Sequence, residues 1–427
     1  MNKDKSVAII GLGYVGLPLA ILASEKGWKV FGIDILQKKV DLIKSRKSPF
    51  VDEEVEVKLK ITAMEATTDF EKVKEVSVIV ICVPTPVFEN RLPDYGPVES
   101  ACKGIGQYLQ KGQLVVLEST VNPGVCEEIV IPILEKESGL KAGVDFYVAH
   151  CPERINPGDK NWNVSNISRV AGGLDKTSLE RALDFYGSVI SAPIRPMGSL
   201  KEAEAVKVVE NSFRNVNIAF VNELAESFAR MGIDVVNVIN GAATKPFAFM
   251  PHYPGCGIGG HCIPVDPYYL IDYARKNYGF EHKLLELACK TNEAMPEYTA
   301  ELVEKGLKEK GKDIKGARVA VLGLAYKAGI GDCRESPSFE LIKVLKDKGA
   351  QVIAYDPYVS EKSDVSSVDE ALNNSEAVVI ATDHALFRAL RGYELAKHGV
   401  KVVVDGRNCL DKLEIQSAGL IYAGIGR

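Results

Sequence analysis

The sequence predicts an α/β protein, with two Rossmann-like, doubly wound domains joined by a long central helix in an all-helical middle domain. Three observations carry that expectation. Two distant segments begin alike, Ser6-Val7-Ala8-Ile9-Ile10-Gly11 and Ala317-Arg318-Val319-Ala320-Val321-Leu322-Gly323, each an apolar run ending in glycine. Each leads through a helical stretch to a second apolar run that ends in aspartate, at Asp34 and at Asp356. Finally, Lys201 to Met231 contains no proline and no glycine; at ~1.5 Å per residue it makes a helix about 45 Å long, more than one small domain needs.

The elements follow in order. Continuous apolar runs alternating with helices mark buried parallel strands. Beyond the two opening pairs, such runs occur at Val78–Val83, Leu114–Glu118 and Phe146–Ala149, and again at Ala377–Ala381 and Val400–Asp405. The expected divisions are 1–200, 201–305 and 306–427. A chain of 427 residues with 46% hydrophobic and 26% charged residues suits several globular cores. The net charge of −5 leaves no broad basic footprint for nucleic acid. The longest apolar stretches, such as Val76 to Val83, fall far short of the ~20 residues a membrane helix needs. Met1 to Ser6 is polar, so no signal peptide is expected. Nine cysteines without C-x-x-C spacing indicate a reduced, cytoplasmic protein with no metal site.

Gly11-Leu12-Gly13-Tyr14-Val15-Gly16 follows a strand and opens a helix, with Asp34 eighteen residues beyond Gly16. In such a loop the first glycine makes the tight turn. The second lets backbone approach a pyrophosphate, and the third lets helix and strand pack closely. The helix N-terminus offers unpaired N–H groups to phosphates. Asp34 suits an adenosine ribose and would repel a 2′-phosphate, which favours NAD over NADP. The C-terminal copy, Gly323-Leu324-Ala325-Tyr326-Lys327, lacks the later glycines. Lys327 there suits a nucleotide held by side-chain charge and a pure packing domain equally.

Pro254-Gly255-Cys256-Gly257-Ile258-Gly259-Gly260-His261-Cys262-Ile263-Pro264-Val265-Asp266 has four glycines in six positions. Glycines are expected where backbone must approach a ligand or adopt positive φ. A cysteine on such a loop is a candidate nucleophile, provided its surroundings favour the thiolate. Metal binding by Cys256, His261 and Cys262 is disfavoured, because adjacent residues rarely ligate one ion; inert cysteines in a tight turn remain an alternative. On the long helix, Lys207, Asn211, Arg214, Asn215 and Asn222 fall within about 100° of one another. A solvated face is the plain reading, but three asparagines suit a buried polar network or a ligand site better.

These motifs together resemble the UDP-glucose/GDP-mannose dehydrogenase family, nearest its UDP-N-acetylhexosamine 6-dehydrogenase branch. They are the Gly11–Gly16 loop with Asp34, Val83-Pro84-Thr85-Pro86, Glu118-Ser119-Thr120-Val121-Asn122-Pro123-Gly124, Cys151-Pro152-Glu153-Arg154, Lys207-x-x-x-Asn211, Gly259-Gly260-His261-Cys262-x-Pro264-x-Asp266 and Arg334-Glu335-Ser336-Pro337. The resemblance covers nearly the whole chain. It implies an N-terminal NAD domain, a central helix that pairs two chains into a homodimer, and a C-terminal domain for the UDP moiety. The implied reaction is a four-electron oxidation of a sugar C6 alcohol to the acid with two NAD, through a thiohemiacetal and a thioester on Cys262. Lys207 and Asn211 would stabilise the oxyanion, and Thr120, Glu153 and Asp266 would orient or activate water. The matching NAD contacts, beyond the glycines, are Tyr14, Val15, Asp34, Lys39, Thr85, Thr120 and Arg334. Those for the UDP-sugar are Arg154, Ile155, Lys207, Asn211, Arg214, Gly259, Tyr326, Lys327 and Arg407.

Cys151 through Lys160, Ala243-Thr244-Lys245-Pro246-Phe247 and Gly260 through Pro267 are similar to the N-acetylhexosamine branch. Members acting on N-acetylmannosamine often carry His-Pro-Arg at Lys245-Pro246-Phe247, which tilts the expectation toward UDP-N-acetylglucosamine or its C4 epimer. UDP-N-acetylmannosamine and UDP-glucose are the alternatives. More remote are a two-electron β-hydroxyacid dehydrogenase, which would need no cysteine, and a non-catalytic NAD-binding protein.

Overall fold

The structure, a computed structural model, describes residues 5–50, 52–88, 92–155, 161–260 and 262–427. The first sheet contains β1 (Ser6–Ile10), β2 (Lys29–Ile33), β3 (Glu65–Thr67), β4 (Val78–Ile81), β5 (Leu114–Leu117), β6 (Tyr147–His150), β7 (Arg169–Gly173) and β8 (Ile194–Pro196). Their order is β3-β2-β1-β4-β5-β6-β7-β8. Every neighbouring pair is parallel except β6 and β7, which are antiparallel. β1, β4 and β5 are buried along their whole length, which is why they read as unbroken apolar runs. Alternate residues feed two cores: Val7 and Ile9 pack on one face of the sheet, Ala8 and Ile10 on the other. The strand order reverses between β1 and β4, and the crevice at the carboxyl ends of such strands is where open α/β sheets take ligands.

The second sheet contains β9 (Arg318–Leu322), β10 (Gln351–Tyr355), β11 (Ala377–Ile380), β12 (Val402–Asp405) and β13 (Ile421–Gly424). It is parallel throughout, in the order β10-β9-β11-β12-β13. Val319 and Val321 face one core, Ala320 and Leu322 the other. The fold class expected from sequence is therefore present. The long helix runs Leu200–Met231, 32 residues, within a residue of the expected start. Helices Val235–Ala243, Asp266–Tyr278, Lys283–Glu293 and Met295–Glu309 complete the middle segment, with no strand among its described residues.

By packing, the chain divides into two compact units: 1–210 with 268–280, and 211–267 with 281–427. The boundary falls inside the long helix. The reason is visible in the core: Val221, Ala225, Val235 and Ile239 pack in one cluster with Met295 and Ile425.

Candidate active site

In the first unit the glycine loop is built by close approach. Gly11 sits at φ +94°, where a Cβ would lie 2.8 Å from the Cys82 carbonyl oxygen, and a Cβ on Gly16 would lie 1.9 Å from the Gly11 oxygen. Gly13 differs, for a Cβ there meets nothing within 4 Å. Its glycine serves nothing inside the chain and leaves the backbone open to a phosphate. The helix Gly16–Glu25 that follows has no side-chain cap and no acidic residue in its first turn, which suits an anion. Asp34 is buried and accepts the N–H groups of Leu12 (2.9 Å) and Leu36 (3.0 Å) and the ammonium of Lys39 (2.8 Å). These residues fit a dinucleotide. Tyr14 is exposed and packs on Phe50, and Val15 is half-buried beside it.

The loops after β4 and β5 are laced together. Thr85 donates to the Thr120 carbonyl at 2.8 Å, Ser119 to the Val83 carbonyl at 2.7 Å, and the Tyr269 hydroxyl to the Thr85 carbonyl. After β6, Glu153 accepts the N–H groups of Arg154 (2.6 Å) and Ile155 (2.9 Å) on one oxygen and pairs with Arg169 on the other. The Arg154 guanidinium meets Glu210 at 2.5 Å and the Ser168 carbonyl at 2.9 Å. Lys207 is half-buried on the long helix, one turn before Asn211. Residues 156–160 of the expected substrate motif lie outside the described residues.

The thiols of Cys82, Cys102, Cys126 and Cys151 are buried, and burial pushes each upward, away from the thiolate. Cys126 lies with His150 and Glu204 in a buried group whose ligating atoms fall within 4.8 Å of one another. Glu204 there commits one oxygen to the Gly124 N–H (2.6 Å) and the other to the Cys126 N–H (2.8 Å), so it caps the turn after β5.

In the second unit, asparagines hold the cysteine loop. Asn211 donates to the buried Asp266 carboxylate at 2.6 Å, and Asn215 to the Ile263 carbonyl at 3.0 Å. The Gly255 N–H donates to Asn222 at 3.0 Å, Asn222 donates to Asn292 at 2.9 Å, and Asn292 donates to the Asn215 carbonyl at 3.0 Å. The buried polar network is thus real, and Asn292 is a member that spacing on one helix could not reveal. Arg214, on the same helix, is exposed.

Each of the four loop glycines lies where an added Cβ would meet protein atoms. A Cβ on Gly257 would lie 2.7 Å from the Pro337 Cβ, and one on Gly259 2.5 Å from the Tyr326 Cβ. Gly260, at φ +89°, faces the Tyr326 ring, and Gly255 faces the Arg407 guanidinium. The loop lies against the ends of the second sheet, with Gly259 on Tyr326 and Gly255 on Arg407. Arg407 also donates to the Ala381 carbonyl at 2.8 Å. Cys256 is fully buried with its sulfur 3.5 Å from the same carbonyl, a packing residue. Cys262 is half-buried, and its carbonyl accepts the Val265 and Asp266 N–H groups (3.1 and 2.8 Å), opening the helix Asp266–Tyr278. His261 lies outside the described residues. Arg334 forms a two-pronged ion pair with Asp332 and gives its carbonyl to the Gly260 N–H at 3.0 Å.

The second aspartate, Asp356, is sealed. It accepts the N–H groups of Leu324 (2.7 Å), Ala325 (2.8 Å) and Tyr358 (2.8 Å), and His384 lies 3.0 Å away. Both side chains have no exposure, so Asp356 is closed to a ligand. Instead it holds the loop that carries half-buried Tyr326 and Lys327.

Family comparisons agree with this layout. The NAD binding, central and UDP binding domain models of the UDP-glucose/GDP-mannose dehydrogenase family match residues 5–190, 201–294 and 320–412. The chain is 36% identical to a UDP-N-acetyl-D-mannosamine dehydrogenase of Pyrococcus horikoshii over 99% of both chains. It is also 36% identical to a UDP-N-acetyl-D-glucosamine 6-dehydrogenase of Pseudomonas aeruginosa, over 93% of this chain and 94% of that one. The solved structure of the Pyrococcus horikoshii enzyme superposes with a TM-score of 0.92, covering 99% of each chain. An NDP-N-acetyl-D-galactosaminuronic acid dehydrogenase from Methanosarcina mazei gives 0.87 at 33% identity, covering 99% of this chain and 95% of that one. With a dinucleotide loop that fits NAD and all three domain models in order, the chain belongs to the UDP-glucose/GDP-mannose dehydrogenase family and is an NAD-dependent oxidoreductase.

Proposed function

We propose that the protein oxidises the C6 alcohol of a UDP-N-acetylhexosamine to the uronic acid, with Cys262 as the covalent catalyst. The observation that carries this reading is the cysteine loop. A half-buried thiol stands on a backbone braced by Asn211–Asp266 and Asn215–Ile263, against Tyr326 and Arg407. Bound NAD supplies the hydride acceptor, two equivalents for each acid formed. The first loss of a hydride and a proton gives an aldehyde, which holds no second hydride in a form that leaves readily. The Cys262 thiolate adds to the carbonyl carbon, and the resulting thiohemiacetal can lose one, leaving a thioester. Water attacks the acyl carbon, the carbon–sulfur bond breaks, and the acid and the thiol are released. Lys207 and Asn211 stabilise the oxyanion by charge and hydrogen bond; Thr120, Glu153 and Asp266 orient or activate water.

In this reading 1–200 holds NAD, 201–305 pairs two chains and carries the catalytic groups, and 306–427 receives UDP. Tyr14, Val15, Lys39, Thr85 and Arg334 join Asp34 and the glycines on the cofactor. Arg154, Ile155, Arg214, Gly259, Tyr326, Lys327 and Arg407 serve the substrate. UDP-N-acetylglucosamine is favoured, since Lys245-Pro246-Phe247 replaces the tripeptide common in mannosamine enzymes. A second reading, UDP-N-acetylmannosamine, is supported by the similarity to the Pyrococcus horikoshii enzyme.

The test is a panel of UDP-glucose and the three N-acetylhexosamines, scored by NADH. Two NADH per acid are expected, with the highest kcat/KM on UDP-N-acetylglucosamine; turnover confined to UDP-N-acetylmannosamine moves the substrate to the second reading. Cys262→Ser is expected to bind NAD as wild type and form no acid. Acid formed by that variant at the wild-type rate removes the covalent mechanism.

A further inference from the structure

Arg169 opens β7 and has no exposure. Its guanidinium forks, with Nη1 on the Glu118 carboxylate at 2.5 Å and Nη2 on Glu153. The Tyr186 hydroxyl donates to the other Glu118 oxygen at 2.7 Å, and the other Glu153 oxygen takes the Arg154 and Ile155 N–H groups. Glu118 directly follows β5, and Glu153 lies three residues beyond β6. One cation therefore anchors the carboxyl ends of two adjacent strands. The loop after Glu118 carries Thr120, and the loop after Glu153 carries Arg154 and Ile155. Two carboxyl groups share one guanidinium with all three residues buried, and burial pushes Glu118 up to about 7; apolar packing can replace such a group without loss of stability. Its use lies elsewhere. A rigid two-pronged fork sets a distance, which a point charge on a flexible stem cannot do.

We propose that Arg169, backed by Glu118 and Tyr186, is a positioning residue for the reaction, setting the spacing between the Thr120 loop and the Glu153–Ile155 loop. The proposal rests on the reading above, in which Thr120 and Glu153 orient water. Arg169 touches neither substrate nor cofactor in this role; it acts through Glu118 and Glu153. Misplacing such groups by about 1 Å costs up to about a hundredfold in rate.

The test uses the full chain with NAD and the UDP-sugar that wild type turns over best, and compares Arg169→Lys and Tyr186→Phe with wild type. A lysine reaches one carboxylate and not both. Arg169→Lys is expected to keep NAD affinity and a full burst of NADH per site, then turn over about tenfold to a hundredfold more slowly as hydrolysis becomes limiting. KM for NAD is expected to stay at the wild-type value while kcat falls, because the cofactor site itself is untouched. Tyr186→Phe, which removes one hydroxyl and leaves the fork, serves if the lysine variant fails to fold; a smaller fall in kcat with unchanged KM for NAD is expected. A burst that shrinks in step with the rate overturns the proposal, as does an unchanged kcat in Tyr186→Phe. Wild type that makes no NADH from any UDP-sugar overturns the functional reading and this proposal with it.

Discussion

Asp34 steadies its own loop and, in the proposed reading, also meets the cofactor. Its carboxylate steadies Leu12 and Leu36 through their N–H groups and holds the Lys39 ammonium. Preference for NAD then follows from charge: a 2′-phosphate would meet Asp34, while Lys39 is held by the same carboxylate. In Asp34→Asn the amide oxygen still accepts from the loop, but the charge is gone and Lys39 is released. A charged hydrogen bond contributes roughly 1.5–3 kcal/mol, so KM for NAD is expected to rise about tenfold or more and KM for NADP to fall. Initial rates with both cofactors check it, and an unchanged cofactor ratio removes Asp34 from the discrimination.

Among the elements, the two glycine-rich loops obey different constraints. Gly259 lies where an added methyl collides with Tyr326, at 2.5 Å, and with Pro337, at 3.0 Å. Overpacking of that kind typically costs about 1–3 kcal/mol. Gly259→Ala is therefore expected to lower the denaturant midpoint and displace the cysteine loop, with a large fall in kcat. Gly13 has room for a methyl, so Gly13→Ala is expected to keep the midpoint and lose NAD affinity, read by cofactor titration. Equal losses of stability in both would erase the distinction. The long helix divides its work in the same way. Its asparagines Asn211, Asn215 and Asn222 are buried and hold the loop and a neighbouring helix, while Val209, Phe213 and Phe220 are exposed.

At the scale of the whole molecule, those three apolar residues fall within about 40° on the helix at ~100° per residue. An apolar stripe about half exposed at each position (56%, 48% and 57%) suits a partner rather than water, and a second copy of the chain is the proposed one. Phe213→Glu with Phe220→Glu is expected to convert a dimer into a monomer by light scattering, with NAD binding retained. A wild-type chain that is monomeric at micromolar concentration would sink the homodimer. No helix among the described residues is long and apolar enough to cross a membrane.

What could be read without coordinates were features written locally. β1, β4, β5, β9 and β11 are buried on both faces, so their apolar runs needed no partner to be recognised, and the Gly11–Gly16 loop and the glycine-cysteine loop carry their spacing along the chain. The 32-residue helix announced itself by the absence of proline and glycine. Tertiary structure decided everything that depends on residues far apart in sequence. It placed Arg169 between Glu118 and Glu153, closed Asn292 onto Asn215 and Asn222, and sealed Asp356 with His384. It also assigned the purpose of the loop glycines, which make room for Tyr326 and Pro337, and divided the chain inside its longest helix. The physical reason is common to all of these. Periodicity and turn chemistry act between neighbours, whereas a buried charge or an amide finds its partner only when folding brings distant strands and loops within about 3 Å.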